Sequence, residues 1–118
     1  MSQEFGNQSK SYLSELVRLN KYNLIACGYQ KLTVNGTAAA LTVPAGAKYA
    51  EITVESSVTS GVVARHLELG AATLPTATDG LAITHLLTFD ITGYPNLINF
   101  RIIQTQVGTH TAHIQYFK

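Results

Sequence analysis

Apolar and polar residues alternate along much of this chain with a period of two, which is typical of half-buried β-strands. The clearest case is Leu41–Glu55, where an apolar run, a Pro-Ala-Gly turn and an alternating strand follow one another. Pro44 fixes the corner of the turn and Gly46 can adopt a positive φ, so we expect the two runs to pair. The face predicted to be buried carries Ala50, Ile52 and Val54. The face predicted to be solvated carries Tyr49, Glu51, Thr53 and Glu55.

A second turn signal lies just before this stretch. Asn35-Gly36 separates the apolar runs Tyr29–Val34 and Ala38–Val43. Both residues tolerate the positive φ of a type I′ turn, so the pattern predicts a β-hairpin. With the strand that follows Gly46, this predicts three consecutive antiparallel strands in the first half of the chain.

The second half also reads as strands separated by turns. Val62–Leu69 and His110–Phe117 alternate, and in the last strand the alternation separates Ala112, Ile114 and Tyr116 from their neighbours. Leu81–Asp90 is apolar enough for one central strand or two short ones. Leu97–Gln104 is expected to be a strand whose inward residues are Ile98, Phe100 and Ile102. Seven or eight such strands predict an all-β fold, an antiparallel β-sandwich or jelly roll.

The amino-terminal residues have a different character. Residues 1–10 are polar, with Phe5 as the single large apolar side chain, and they read as an arm. Ser11–Asn20 has the spacing of a short amphipathic helix, which must bury its apolar stripe on its own domain or on another subunit. We therefore divide the chain into residues 1–28, arm and helix, and residues 29–118, the sandwich. The candidate partner-binding residues of the first part are Phe5, Tyr12, Leu13, Leu16 and Val17.

Composition narrows the possible partners. Charged residues make up 13% of the 118 residues and the net charge is +1, which is not the basic footprint of a nucleic-acid-binding protein. Such a low charge density favours assembly with other proteins. Cys27 is the single cysteine, so no internal disulfide can form. Neither a secretory signal nor an apolar run long enough for a bilayer is present, and we expect a product made in the cytoplasm.

The residues that could support catalysis do not converge. Glu51 and Glu55 are two strand repeats apart, or about 13 Å, which is too far for either glycosidase geometry. His110 and His113 point to opposite faces of a strand and cannot share a metal ion, while His66 and His85 read as surface or interface residues. Cys27 has no base beside it in the sequence. We therefore expect no enzyme activity, no metal and no cofactor.

The loop Gly70–Gly80 is the longest stretch without periodicity, and loops of this kind carry contacts in small sandwiches. Asp79 is expected to form a turn through its own backbone rather than to act in catalysis. Arg101 follows the inward-facing Phe100, so we expect it to pair with Glu68, Asp79 or Asp90. The candidate contact residues of the loops are Pro75, Thr76, Asp79 and Tyr94.

Four segments together resemble the small β-sandwich proteins encoded among the structural genes of tailed bacteriophages: VPAGAKYAEITVES, ARHLELGAATLPTATDG, NLINFRIIQ and HTAHIQYF. The resemblance covers about residues 40–118 and leaves residues 1–28 unmatched. The matching residues are Ala47, Lys48, Tyr49 and Ala50, then Arg65, then Pro75, Thr76, Ala77 and Gly80, then Phe100 and Arg101, then Tyr116. The candidate structural residues of this pattern are Pro44, Gly46, Arg65, Phe100 and Arg101.

The resemblance implies a virion accessory protein of the capsid decoration, cement or head-fibre type. Such a protein binds the major capsid protein or other virion proteins, forms a homo-oligomer such as a trimer, and here would use residues 1–28 as its anchor. A tail-fibre or neck component is an alternative. A carbohydrate-recognising module is another, with Tyr29, Tyr49, Tyr94 and the Gly70–Gly80 loop as its platform, although the absence of tryptophan weighs against it. A small enzyme ranks last.

Overall fold

The computed structural model describes residues 23–118, which form two four-stranded antiparallel sheets packed face to face. The all-β sandwich predicted from the sequence is therefore confirmed. A single α-helix, α1 (Tyr94–Asn99), and a 3-10 turn at Gly70–Ala72 interrupt the strands of this part of the chain. The strands are β1 (Ala26–Val34), β2 (Ala39–Ala40), β3 (Tyr49–Ser56), β4 (Val62–Leu67), β5 (Leu81–Thr84), β6 (Thr88–Thr92), β7 (Arg101–Gln104) and β8 (His110–Phe117).

The strand order is that of a jelly roll. One sheet, which we call sheet A, has the order β1-β8-β3-β6, and the other, sheet B, has the order β2-β7-β4-β5. Among these strands β4 and β5 alone are both consecutive in the chain and hydrogen-bonded to each other. Every other link carries the chain from one sheet to the other, as expected for two interleaved Greek keys.

This topology overturns both hairpin predictions in the first half. β1 pairs with β8, whereas Ala39–Ala40 pairs with β7 in the other sheet, so Asn35-Gly36 joins strands that are not neighbours. Likewise the run Leu41–Val43 does not pair with β3. The turns themselves exist. Asn35 Oδ1 accepts the Thr37 N–H at 2.9 Å, Gly46 has φ 80°, and the Ala47 N–H donates to the Pro44 carbonyl at 3.2 Å.

The core lies between the two inner sheet faces. Ala50, Ile52 and Val54 of β3 are fully buried, as the alternation predicted. Tyr49, expected on the solvated face, is only 4% exposed because its ring packs against Phe117, with ring centroids 5.4 Å apart. The other fully buried side chains include Ala112, Ile114 and Tyr116 of β8 and Val63, Ile83 and Ile102 of sheet B.

The prediction of a strand beginning at Leu97 is wrong. Residues Tyr94–Asn99 form α1, with Pro95 in its first turn, where the missing N–H of proline costs no hydrogen bond. The helical period buries Leu97 and leaves Ile98 44% exposed, the reverse of the expected orientation. The strand begins at Arg101, and Phe100 and Ile102 are buried as predicted.

Two further boundaries follow from the pairing. Leu81–Asp90 forms two strands, β5 and β6, separated by a turn in which Leu86 has φ 65°. This is the second of the two alternatives considered above.

β1 begins at Ala26, paired with Phe117, so the sandwich starts before the boundary expected between residues 28 and 29. The expected helix Ser11–Asn20 lies outside the described residues.

A polar contact closes one side of the sandwich. The buried Tyr116 hydroxyl donates to Gln30 Oε1 at 2.5 Å, and the same oxygen accepts the Thr42 N–H at 3.0 Å. Thr42 belongs to the link between β2 and β3, so Gln30 connects this link to β8. Burial raises the pKa of Tyr116 from 10.0 to about 12.

We predict that Tyr116→Phe makes stability less dependent on pH in the alkaline range. The unfolded tyrosine loses its proton near pH 10, whereas the folded one keeps it up to about pH 12. The free energy of unfolding therefore keeps the full contribution of the protonated Tyr116 below pH 10. About 2–3 kcal/mol of this contribution is lost as the pH rises from 10 through 12. The measurement is the urea midpoint by circular dichroism across this range, with exposed Tyr94→Phe as control. Equal alkaline losses in Tyr116→Phe and the unmodified chain would contradict it.

Candidate functional site

Three interstrand links meet at one end of the sandwich, where the described chain also enters and leaves. There Ile25 and Lys118 exchange two backbone hydrogen bonds, each of 2.9 Å. We call this the helix end, and its links are residues 41–48, 68–80 and 93–100. The opposite end, which we call the histidine end because His85 and His110 lie there, has the links 35–38, 57–61, 85–87 and 105–109.

The helix end collects most of the exposed apolar side chains. Among residues 23–118, six of the ten large apolar side chains that remain exposed lie there: Ile25, Leu69, Leu74, Leu81, Tyr94 and Ile98. Three of the others, Leu86, Leu87 and Val107, lie at the histidine end, and Tyr29 lies on the outer face of sheet A. Such a concentration of apolar surface is typical of protein interaction sites.

Arg65 fixes the loop that carries Leu74 and leads into Leu81, the first residue of β5. From β4 its Nη1 donates to the Gly80 carbonyl at 2.9 Å and its Nε to the Ala77 carbonyl at 3.3 Å. Gly80 has φ 130°, and a Cβ there would lie 3.1 Å from the His66 carbonyl oxygen. Only glycine fits this close approach without strain. The structural role of Arg65 is therefore to hold this loop against sheet B through these hydrogen bonds.

The loop is also bonded within itself. The Asp79 N–H donates to Thr76 Oγ1 at 2.9 Å, and Thr76 Oγ1 donates to Asp79 Oδ2 at 3.0 Å. Asp79 forms a turn, as predicted, and the polar atoms expected to contact a partner are used inside the loop. Pro75 is fully buried, so its prediction as a contact residue is wrong. It packs under Gly80, where a Cβ added to the glycine would lie 3.3 Å from the Pro75 Cβ.

An open depression of about 410 Å³ lies at the helix end, lined by Glu68, Asp90, Ile91, Thr92 and Asn96. Its two carboxylates favour a cationic group of a partner. Next to it, the buried His66 ring stacks on Phe89, with centroids 4.7 Å apart, and on Phe100, at 5.3 Å. Nδ1 of His66 lies 2.9 Å from Glu68 Oε1 but without the angle of a hydrogen bond.

Arg101 does not make the ion pair predicted for it. Its Nη1 donates to the carbonyl oxygens of Ile98, at 3.1 Å, and Phe100, at 2.8 Å, and within the described residues it contacts no carboxylate. The carbonyls at the carboxyl end of a helix lack intrahelical donors and attract cations. Arg101 therefore closes the end of α1 and holds the helix against β7.

The two histidines of β8 lie on opposite faces, as predicted. His110 is buried at the histidine end, where Nε2 donates to the Gln106 carbonyl at 2.7 Å. Since a carbonyl can only accept, Nδ1 of the neutral ring is left to accept the Ser56 hydroxyl at 2.8 Å. Ser56 Oγ also accepts the Val58 N–H at 2.9 Å, so this serine and histidine act as turn-forming groups. Residues 23–118 contain no cluster of three potential metal ligands.

The tyrosines considered for a carbohydrate platform do not come together. Tyr29 is 64% exposed on the outer face of sheet A, Tyr94 is 46% exposed at the helix end, and Tyr49 is buried. The sequence pattern placed Tyr49 outward correctly but could not show that Phe117 covers it. Ile25, Leu69 and Ile98 were not foreseen as surface residues, because an apolar residue in a strand-like run reads as core. Phe5, Tyr12, Leu13, Leu16 and Val17 lie outside the described residues.

Comparison with known proteins matches no protein family, no curated protein and no solved structure. Within residues 23–118, no helix has both the length and the apolar character needed to cross a bilayer. The surfaces of the sandwich are therefore the basis for inferring its function.

We predict that Arg65→Lys loosens the 75–80 loop. Lysine cannot reproduce two donors in the fixed geometry of the guanidinium group, so about 1–3 kcal/mol of stability should be lost. Hydrogen exchange should also be faster at the Thr76 and Asp79 amides. Urea unfolding and exchange measured by NMR test this, with the exposed Lys31→Ala as the control. An unchanged midpoint with unchanged protection would show that Arg65 does not hold the loop.

Proposed function

We propose that this chain is a structural protein of a tailed-phage virion, a capsid decoration or cement protein that attaches through its helix end. The observation that carries the proposal is the concentration of exposed Ile25, Leu69, Leu74, Leu81, Tyr94 and Ile98 at that end. The resemblance of residues 40–118 to phage accessory proteins, and the frequent use of jelly rolls in viral capsid proteins, support the same role.

The helix end has the composition that a protein partner requires. This end carries exposed apolar side chains together with a depression that has two carboxylates, Glu68 and Asp90. An interface of this kind buries apolar groups at its centre and satisfies charges at its rim. The complementary surface on a capsid protein would therefore present apolar residues together with lysine or arginine. Arg65 and Arg101 hold the loop and helix in place, which lowers the entropy lost on binding.

The described chain enters the sandwich at this same end, which carries the exposed apolar residues and where Ile25 is hydrogen-bonded to Lys118. Arm and helix end can thus engage one partner together, as expected if residues 1–28 act as an anchor. Binding by two linked elements raises affinity through effective concentration. Trimer formation follows from the resemblance alone.

The test is binding to capsids that lack this protein, prepared from the phage that encodes it. We expect the full chain to bind saturably and the double variant Leu69→Asp/Ile98→Asp to lose at least about tenfold in affinity, since buried charges are costly at an interface. Val107→Asp is the matched control, because Val107 is 91% exposed at the histidine end. Co-sedimentation gives the readout. Failure of the full chain to bind, or equal binding by both variants, would refute attachment through the helix end.

A further inference from the structure

The outer face of sheet A differs chemically from the helix end. Apart from aromatic side chains and Ala26 at the start of β1, its outward positions on β1, β8, β3 and β6 are polar. Tyr29, Gln115 and Glu51 lie side by side across three strands, because Tyr29 pairs with Gln115 and Gln115 with Glu51. Outside its aromatic side chains, this face offers few of the apolar groups that form the centre of a typical protein interface.

A chain of three side chains in direct polar contact crosses this face. His113 on β8 has Nε2 2.7 Å from Glu55 Oε1 on β3, and its Nδ1 lies 2.6 Å from the Tyr29 hydroxyl on β1. An ionised carboxylate can only accept, so Nε2 carries the proton. In the neutral ring Nδ1 is then an acceptor and the Tyr29 hydroxyl donates to it. Both ends of the histidine ring are therefore fixed.

The two rings are nearly parallel and are displaced sideways from each other. Their centroids are 6.1 Å apart and their planes differ by 21°, while the short hydroxyl contact spans the gap between them. Rings in face-to-face contact would lie closer, so Tyr29 and His113 together form one nearly flat platform. The Tyr29 side of this platform is 64% exposed. Its orientation is held by the contact to Glu55, so little side-chain entropy is lost when a ligand binds.

We propose that the outer face of sheet A binds carbohydrate, with a pyranose ring stacked on the Tyr29–His113 platform. The C–H face of a sugar ring packs on an aromatic face, and its hydroxyls need planar acceptors and donors nearby. Gln115 and Glu51, which lie beside Tyr29 on the two neighbouring strands, supply an amide and a carboxylate. The exposed Lys31, two residues after Tyr29 on β1, supplies an ammonium group. This site does not depend on the helix end or on the virion role.

The experiment is titration of the full ¹⁵N-labelled chain with maltohexaose, cellohexaose and the tetramer of N-acetylglucosamine at millimolar concentrations. We expect at least one of these to shift the amides of β1, β8 and β3. Tyr29→Ala should weaken its binding by at least about tenfold, and Tyr29→Phe, which keeps the ring but loses the hydroxyl contact, by about threefold. Tyr94→Ala, at an exposed tyrosine of the helix end, should bind as the unmodified chain does.

Absence of shifts with all three saccharides, or unchanged binding by Tyr29→Ala, would overturn the proposal. Loss of capsid binding in Tyr29→Ala would also overturn it, since the face would then belong to a protein interface. Thermal unfolding confirms that each variant is folded, as expected for substitutions at exposed positions. The Leu69→Asp/Ile98→Asp variant should bind saccharide normally, so the two proposals can fail separately.

Discussion

The pairing of the first described strand with the last holds this sandwich together. β8 forms hydrogen bonds with β1 on one side and β3 on the other, in a register that runs from Ala26 opposite Phe117 to Val34 opposite His110. Sheet A has no centre until the carboxyl-terminal strand is in place. Closing such a long loop costs entropy before any contact compensates for it, so the fold depends on the apolar inner face of β8. Ala112, Ile114 and Tyr116 provide that face.

The same register creates the chemistry of the outer face. Tyr29, His113 and Glu55 lie on three adjacent strands and meet only when β1, β8 and β3 are aligned. A slip of one residue in β8 would turn His113 into the core and move its neighbours outward. The inner face prevents this slip, because Ile114 and Tyr116 would then be exposed. Core packing therefore determines the geometry of the Tyr29–His113 platform and of its contact with Glu55, although none of these three side chains is in the core.

The sequence predicted correctly which face of β3 and of β8 is buried, but it did not predict which strands pair with each other. Alternation identified the buried residues of β3 and β8 because every second side chain in a strand shares an environment. Asn35-Gly36 and Pro44–Gly46 marked real reversals, but a turn signal specifies only local backbone angles. It does not say whether the next strand joins the same sheet, and in a jelly roll most do not. Near Pro95 the period changes from two to that of a helix over only six residues, too few for a pattern to reveal.

The candidate sites were even less accessible to sequence reasoning. The exposed apolar residues of the helix end lie just before β1, in the links and at the start of β5. Nothing in the local sequence around residues such as Leu69 and Ile98 indicates that they are exposed. Arg65 and Arg101 were recognisable as structural charges, but their acceptors are carbonyl oxygens, which every residue has. The platform joins residues that are distant in the chain, so only the strand order brings them together.

The two proposed surfaces are compatible in one molecule because they occupy different sides of the sandwich. A subunit attached as proposed, through the helix end, would bury the links between strands and leave the broad face of sheet A in solvent. Apolar contacts suit a permanent attachment, because they stabilise a complex only when water is removed from between the two surfaces. A polar, preorganised face suits weak and repeated contacts with a hydrated polymer, to which many subunits on one particle would bind more tightly than a single subunit. The jelly roll separates these surfaces because its links gather at the ends of the sandwich while its strands present the faces.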